Sequence, residues 1–223
     1  KTKGPNGPCG PCSEIFFDHG KKLGCGKPDC NPSCGCGRFV EVWNLVFTQF
    51  NRKSTGQLEP LPKNNIDTGM GLERLAALMQ QAPNNFETDL FIPIIKEISS
   101  ALINAHTLNK GLIYAVADHL RAVSFAIFDG VLPSNETRGY VVRKLIRKST
   151  LHLRTLGIRR PFLYKLVPVL AQAMVSYYPE MRLRQENISE VILAEEKLFI
   201  STLNSSGAIL KDSFKRFHNN QDP

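Results

Sequence analysis

Apolar residues come in short dense runs over the first eighty positions and at helical spacing over most of the rest. Ser13 to Asp18 reads as a short strand. The stretch from Arg38 to Phe50, RFVEVWNLVFTQF, is dense in β-branched and aromatic residues, which suit the pleated surface of a sheet. Its alternation is imperfect, so the pattern predicts a strand sheltered on both faces for part of its length. Gly56 marks a turn, and Leu58 to Leu61 form a further extended piece that Pro60 and Pro62 make irregular or an edge. Two glycines in Asp67-Thr-Gly-Met-Gly-Leu-Glu-Arg74, followed by the helix formers Leu75-Ala-Ala-Leu-Met79, predict strand, tight turn and helix.

Beyond the Pro83-Asn-Asn loop the rhythm becomes helical. Asp89 to Ala105 reads as a helix with Pro93 in its first turn. Tyr114 to Phe128 places Val116, Leu120, Val123 and Ile127 on one helical face. A loop from Gly130 to Gly139 precedes a helix from Tyr140 to Leu156, stopped at Gly157. Pro161 to Tyr178 is expected to be another helix, broken near Pro179. Glu186 to Leu210 reads as a long one, and a polar tail after Phe214 is expected to fray. The change of rhythm predicts two units, 1–106 with mixed strands and helices and 107–223 wholly helical, an α+β chain.

Charge sharpens that division. Residues 1–106 hold 11 Lys/Arg against 10 Asp/Glu, and residues 107–223 hold 17 against 10. Between Thr137 and Pro179 there are nine basic residues and no acidic one. Such a field attracts polyanions, nucleic acid among them, though a solvated helix face has the same composition. No run of about 18 apolar residues is present, so no membrane span is expected. All six cysteines precede residue 37, unlike a secreted scaffold that spreads disulfides through its fold. Reduced thiols in a cytoplasmic compartment are the expectation, with an organellar location as the alternative. The chain starts at Lys1 without a leader pattern, which suggests an internal piece of a longer protein.

The richest chemistry lies in Asp67 to Arg74. A carboxylate can hold an ammonium group, glycines let a ligand approach the backbone, and an arginine can grip a phosphate at two points. An ordinary strand–helix turn with a surface arginine would show the same spacing. Farther on, Arg143 and Arg147 are four residues apart, as are Lys144 and Lys148, so they line adjacent strips of one helix that could follow a phosphate backbone. Asn135 in the preceding loop is a polar side chain of the sort that reads base edges, or simply a turn former. Cys25, Cys30, Cys34 and Cys36 fall within twelve residues. They could close on a structural zinc ion or stay unligated, and the Cys34–Cys36 spacing is tighter than a zinc ribbon uses. Cys9 and Cys12, in Gly-Pro-Cys-Gly-Pro-Cys, are expected to pack inside the sheet rather than to act as a redox pair.

Four strings, Gly7-Pro-Cys-Gly-Pro-Cys-Ser-Glu-Ile15, Glu41-Val-Trp-Asn-Leu-Val-Phe47, Asp67-Thr-Gly-Met-Gly-Leu-Glu-Arg-Leu-Ala76 and Pro133-Ser-Asn-Glu-Thr-Arg-Gly-Tyr140, resemble those of class II aminoacyl-tRNA synthetases, and of the alanyl group among them. They occur in the family's order, and the likeness runs from about Gly7 to Leu210. It implies the motif 3 side of an antiparallel class II sheet, followed by an all-helical tRNA-recognition domain. It implies ATP with Mg²⁺, alanine and the acceptor stem of an alanine tRNA as partners. It also implies ATP-dependent attachment of alanine to tRNA through an alanyl-adenylate.

Residue by residue, the resemblance gives Arg74 the ATP phosphates and Asp67 the α-ammonium of alanine. It sets Asn44 beside the amino acid, and Gly69 where room is needed for the methyl group. Trp43 could wall the site or simply fill a core. Asn135 matches an asparagine that helps recognise a G·U wobble pair. Motifs 1 and 2 of the class are not found, so the remainder of a parent chain is an expected partner. Without the motif 2 arginine these 223 residues are expected not to activate alanine alone, because one such group supplies roughly 3–4 kcal/mol. The alternative is a non-catalytic RNA-binding module on a degenerate synthetase-like scaffold, which has no need of Asn44, Asp67 and Arg74 together.

Overall fold

The computed structural model describes residues 6–102 and 109–219, with side chains described to residue 207. The chain divides into two compact units, Lys1–Thr88 and Asp89–Pro223. The sequence pattern put this division at 106/107. The helix over 92–100 instead groups with the helical unit, where its Ile94 and Ile98 are fully buried.

The first unit is a four-stranded antiparallel sheet with one helix. Its strands are β1 (Gly7–Cys9), β2 (Cys12–Asp18), β3 (Phe39–Arg52) and β4 (Leu58–Met70). The long strand β3 lies at the centre. β1 and β2 follow one another along one edge of β3, with Cys9 opposite Phe50 and Cys12 opposite Val46. β4 occupies the other edge, with Trp43 opposite Met70 and Arg52 opposite Leu58. The chain turns between β1 and β2 at Gly10, where a Cβ would run into the Phe47 carbonyl; beside it Phe47 N donates to Pro11 O at 2.9 Å.

β4 runs unbroken through Pro60 and Pro62, longer than the short piece the pattern suggested, and it is an edge strand, one of the two forms the prolines allowed. An edge strand tolerates proline because half its N–H groups face away from the ladder. A register shift between Thr48 and Phe50 takes up the irregularity. β3 is only half-buried along most of its length, with Val42 its one fully buried residue. Helix α1 (Leu72–Met79) packs on β3 and buries Ala77. Ile15, Leu58 and Ile66 remain at least half exposed within this unit.

The second unit contains α2 (Ile92–Ser100), α3 (Lys110–Phe128), α4 (Thr137–Thr155), α5 (Val167–Ala173) and α6 (Pro179–Asn219). The side chain of Asn109 starts α3 by accepting from Leu112 N at 3.2 Å, a preferred N-cap arrangement. By length and composition α3 could cross a membrane. Its stripe of Ile113, Val116, Leu120, Val123 and Ile127 is instead buried within the helical unit, as in the core helix of a bundle. Each fully buried aliphatic side chain there contributes about 1.5–3 kcal/mol.

The expected helix over 161–178 is a 3-10 turn, Leu163–Leu166, leading into the shorter α5. Glu196 on α6 anchors that turn. Its carboxylate, fully buried, accepts from the backbone N–H groups of Phe162, Leu163 and Tyr164 at 3.1, 3.0 and 3.2 Å. Burial pushes this carboxyl up from its ordinary range, and the three N–H groups pull it part of the way back. Pro179 opens α6 rather than breaking a helix, because the first turn has no use for its missing N–H. The α6 backbone continues through the tail expected to fray, as far as Asn219. The expected helix end at Ala105 lies outside the described residues.

Candidate active site

Residues directly opposite one another in a sheet share a face. One row across the sheet is Glu14, Asn44 and Gly69, and the next on the same face is Cys12, Val46 and Asp67. The fold therefore gathers Asn44, Asp67 and Gly69, which are far apart in sequence, onto one face in adjacent rows. Trp43 belongs to the alternate row with Ile15 and Met70. Its indole N–H is bonded to Thr68 Oγ1, so it is not a wall beside Asn44.

Glu14 is the site residue that the sequence reading missed. Its Oε1 accepts from Asn44 Nδ2 at 3.1 Å. A carboxylate can only accept, so this bond fixes which end of the Asn44 amide is which. Asn44 Oδ1 is then turned away from Glu14, and it is buried without a hydrogen-bond partner among the described residues. A buried acceptor left in that state costs about 1–3 kcal/mol until a donor arrives. An ammonium group is such a donor. Glu14 sits inside a string singled out above, but only the register shows that it faces Asn44.

Asp67 is exposed, as is Gly69. A Cβ built on Gly69 meets nothing within 4 Å, so the fold itself does not demand glycine there. Asp67 is thus an open carboxylate next to an open patch of strand backbone. Cys12 is exposed and Cys9 half-buried, so the expectation that both pack inside the sheet does not hold. β2 lies on an edge of the described sheet and leaves the Cys12 thiol uncovered.

Arg74 continues the same ladder. After Gly71, whose N–H donates to Val42 O at 3.3 Å, the first turn of α1 swings Arg74 onto β3. Its Nη1 donates to Glu41 O at 2.7 Å and lies 3.7 Å from the Glu41 carboxylate. Glu41 is three residues along β3 from Asn44, about 10 Å away. The guanidinium and the Asn44 row therefore lie at two stations along β3. Arg74 also borders a cleft of about 260 Å³ lined by Phe17, His19, Leu23 and Val42. That cleft runs beside Arg74 and excludes Asn44, Asp67 and Gly69, which lie on the open face.

In the helical unit the predicted basic strip is partly spent internally. Arg143 Nε and Arg147 Nε both donate to Glu195 Oε1, at 2.9 and 2.7 Å. Glu195 is buried on α6 and 52 residues from Arg143, so its pairing was invisible in the helix periodicity. Arg143 Nη1 donates as well to Asn135 Oδ1. The Asn135 amide consequently presents its NH₂ group outward. Lys144, Lys148 and Arg138 are exposed on α4 and form the open part of the strip.

The four cysteines of the β2–β3 loop do converge. Cys25, Cys30, Cys34 and Cys36 place all their sulfur atoms within 4.8 Å of one another. The Arg38 backbone N–H holds the Cys36 thiol down at about 7, and the Lys27 N–H lowers Cys25. Cys34, between the thiols of Cys25 and Cys36, is pushed up to about 12. At the end of this loop Asp18 accepts from Arg38 Nε and Nη2 at 2.7 and 2.6 Å. That two-point contact with the guanidinium holds the carboxyl down at about 2.

The family model described as tRNA synthetases class II (A) matches residues 1–222. Among curated relatives, an alanine–tRNA ligase of Desulfosudis oleivorans is 46% identical over 215 residues, 95% of this chain and 24% of the relative. One of Desulfitobacterium hafniense is 48% identical over 95% of this chain and 25% of the relative. One of Listeria innocua is 49% identical over 94% of this chain and 24% of the relative. The chain spans about a quarter of the length of these relatives. With the family model covering nearly every residue of a sheet-and-helix chain, the protein belongs to the class II (A) tRNA synthetases.

Proposed function

We propose that the sheet unit is the amino-acid and ATP-binding part of an enzyme that activates alanine and attaches it to tRNA, and that the helical unit holds the acceptor end of that tRNA. The observation that carries this reading is the adjacent-row placement of Asn44, Asp67 and Gly69 on one face. The names of the relatives support alanine as the amino acid.

The chemistry follows from the groups present. Asp67 and the unpartnered Asn44 Oδ1 take the α-ammonium of alanine, and Gly69 leaves room for the methyl group. A carboxylate oxygen of alanine attacks the α-phosphorus of ATP, which enters as its Mg²⁺ complex, and pyrophosphate leaves. Arg74 exchanges Glu41 for phosphate oxygens, for which its planar fork is suited. The terminal ribose hydroxyl of tRNA then attacks the alanyl carbonyl, and AMP leaves. Such steps depend mainly on positioning and charge stabilisation, and no covalent nucleophile on the protein is required.

On the tRNA side, Lys144, Lys148 and Arg138 follow the phosphate backbone. Arg143 and Arg147 brace α4 against α6 and hold Asn135 with its NH₂ outward, as a donor to the shallow minor groove of an RNA stem. A cytoplasmic location accompanies this reading and is checked by cell fractionation. The test of function is ATP–pyrophosphate exchange by the full-length enzyme with alanine, glycine and serine, beside Arg74→Ala. We expect alanine to be preferred, and exchange by Arg74→Ala to fall about 100-fold with the loss of one charge-stabilising donor. Exchange that does not depend on alanine, or is indifferent to Arg74, overturns the proposal.

A further inference from the structure

The loop from His19 to Arg38 has no apolar core to order it. Leu23 is more than half exposed, and no residue of the loop is fully buried. Apart from the 3-10 turn Lys21–Leu23, it contains no helix or strand. Loops of such length without structure of their own are uncommon in compact domains unless something orders them. Yet the backbone here is closely turned. Cys30 N donates to Lys27 O at 3.3 Å, Cys34 N to Asn31 O at 2.9 Å, and Cys36 N to Cys34 O at 2.9 Å. Asn31 Oδ1 takes a further bond from Ser33 N at 3.0 Å. Gly26 and Gly37, at φ 77° and 84°, supply left-handed turns within the loop.

These turns aim four free thiols at one point. Cys25 Sγ is 3.5 Å from Cys34 Sγ, and Cys30 Sγ is 3.6 Å from Cys36 Sγ. Four sulfurs about 2.3 Å from a central zinc ion would stand roughly 3.8 Å apart. The tight turn joining Cys34 and Cys36 also answers the objection from spacing, since it rotates the two thiols onto the same centre.

We propose that Cys25, Cys30, Cys34 and Cys36 form a tetrahedral site for one structural zinc ion, which staples the β2–β3 loop. All four ligand positions are filled by protein sulfur, so the ion has no open position for catalysis. The staple is closed beside the Asp18–Arg38 pair and fixes Leu23 and Gly37, which border the cleft next to Arg74.

The test uses the full-length protein, purified under reducing conditions from zinc-supplemented cells. By elemental analysis the double variant Cys25→Ser/Cys36→Ser should hold about one zinc per chain fewer than wild type, whereas Cys9→Ser/Cys12→Ser should match wild type. Replacement by Co²⁺ should give the intense visible bands of a tetrahedral tetrathiolate in wild type and not in the first variant. Should the first variant fail to fold, titration of the wild-type chain with a mercurial reagent decides. Zinc release in step with reaction of the four clustered thiols supports the site. Thiol reaction without zinc release, a chain carrying iron instead, intramolecular disulfides in the reduced preparation, or full zinc retention in the first variant each overturns it.

Discussion

Gly69→Ala separates the needs of the fold from those of the ligand. Gly69 lies within β4, its φ is outside the left-handed region, and an added Cβ meets nothing within 4 Å. Glycine in a strand interior costs about 0.5–1 kcal/mol relative to alanine through lost chain entropy. The variant should therefore melt at or slightly above the wild-type temperature. The new methyl group projects onto the face shared with Asn44 and Asp67, about 4.8 Å from the neighbouring strand. If the side chain of bound alanine rests over Gly69, the methyl displaces it, and a misplaced methyl in a small pocket costs about 1–3 kcal/mol. That converts to a rise of roughly 10–200-fold in the alanine KM. The assay is alanine-dependent ATP–pyrophosphate exchange by the full-length enzyme, with the ATP KM as internal control and calorimetry for stability. An unchanged alanine KM would refute the assignment of the open face, and a fall in Tm would refute the open space at Gly69.

Three further outcomes follow from the packing. Gly10→Ala, whose Cβ would meet the Phe47 carbonyl, should destabilise the sheet by about 2 kcal/mol or more, visible in urea unfolding followed by Trp43 fluorescence. Glu195→Gln removes the buried negative charge that holds Arg143 and Arg147 and should cost about 3 kcal/mol by thermal unfolding, while also weakening tRNA binding by loosening the Arg143 hold on Asn135. Asp18, held down by Arg38, should titrate at about 2 by NMR. Because its folded value is depressed, its stabilising contribution is present above the ordinary carboxylate range and is lost as pH falls through about 2, and Arg38→Ala should raise the midpoint toward the ordinary range, with the Gly20 N–H keeping part of the depression.

The readable parts of the fold were those set by local pattern. The β-branched and aromatic density of β3, the apolar stripe of α3 and the stop at Gly157 all appear in the structure where the sequence put them. Features that depend on distant partners were not readable. Glu14 acquires its role from Asn44, 30 residues away, through a register that no local pattern encodes. Arg143 and Arg147 looked like open charges because Glu195 lies on another helix. Proline misled at Pro179, which opens α6 instead of breaking a helix, because the first helical turn has no use for its missing N–H; Pro60 and Pro62 sit in an edge strand, one of the two readings their spacing allowed, though the strand is longer than expected. The candidate alanine residues were named through resemblance; the structure adds that they share one face and that Arg74 is engaged with Glu41.

The most direct test of that shared face is Asp67→Asn in the full-length enzyme, which keeps the shape of the side chain and removes its charge. If Asp67 holds the ammonium group, the alanine KM in pyrophosphate exchange should rise about 100-fold, corresponding to a lost charged bond of roughly 2–3 kcal/mol, with the ATP KM nearly unchanged. An alanine KM within about twofold of wild type, or a matching rise in the ATP KM, would contradict the account.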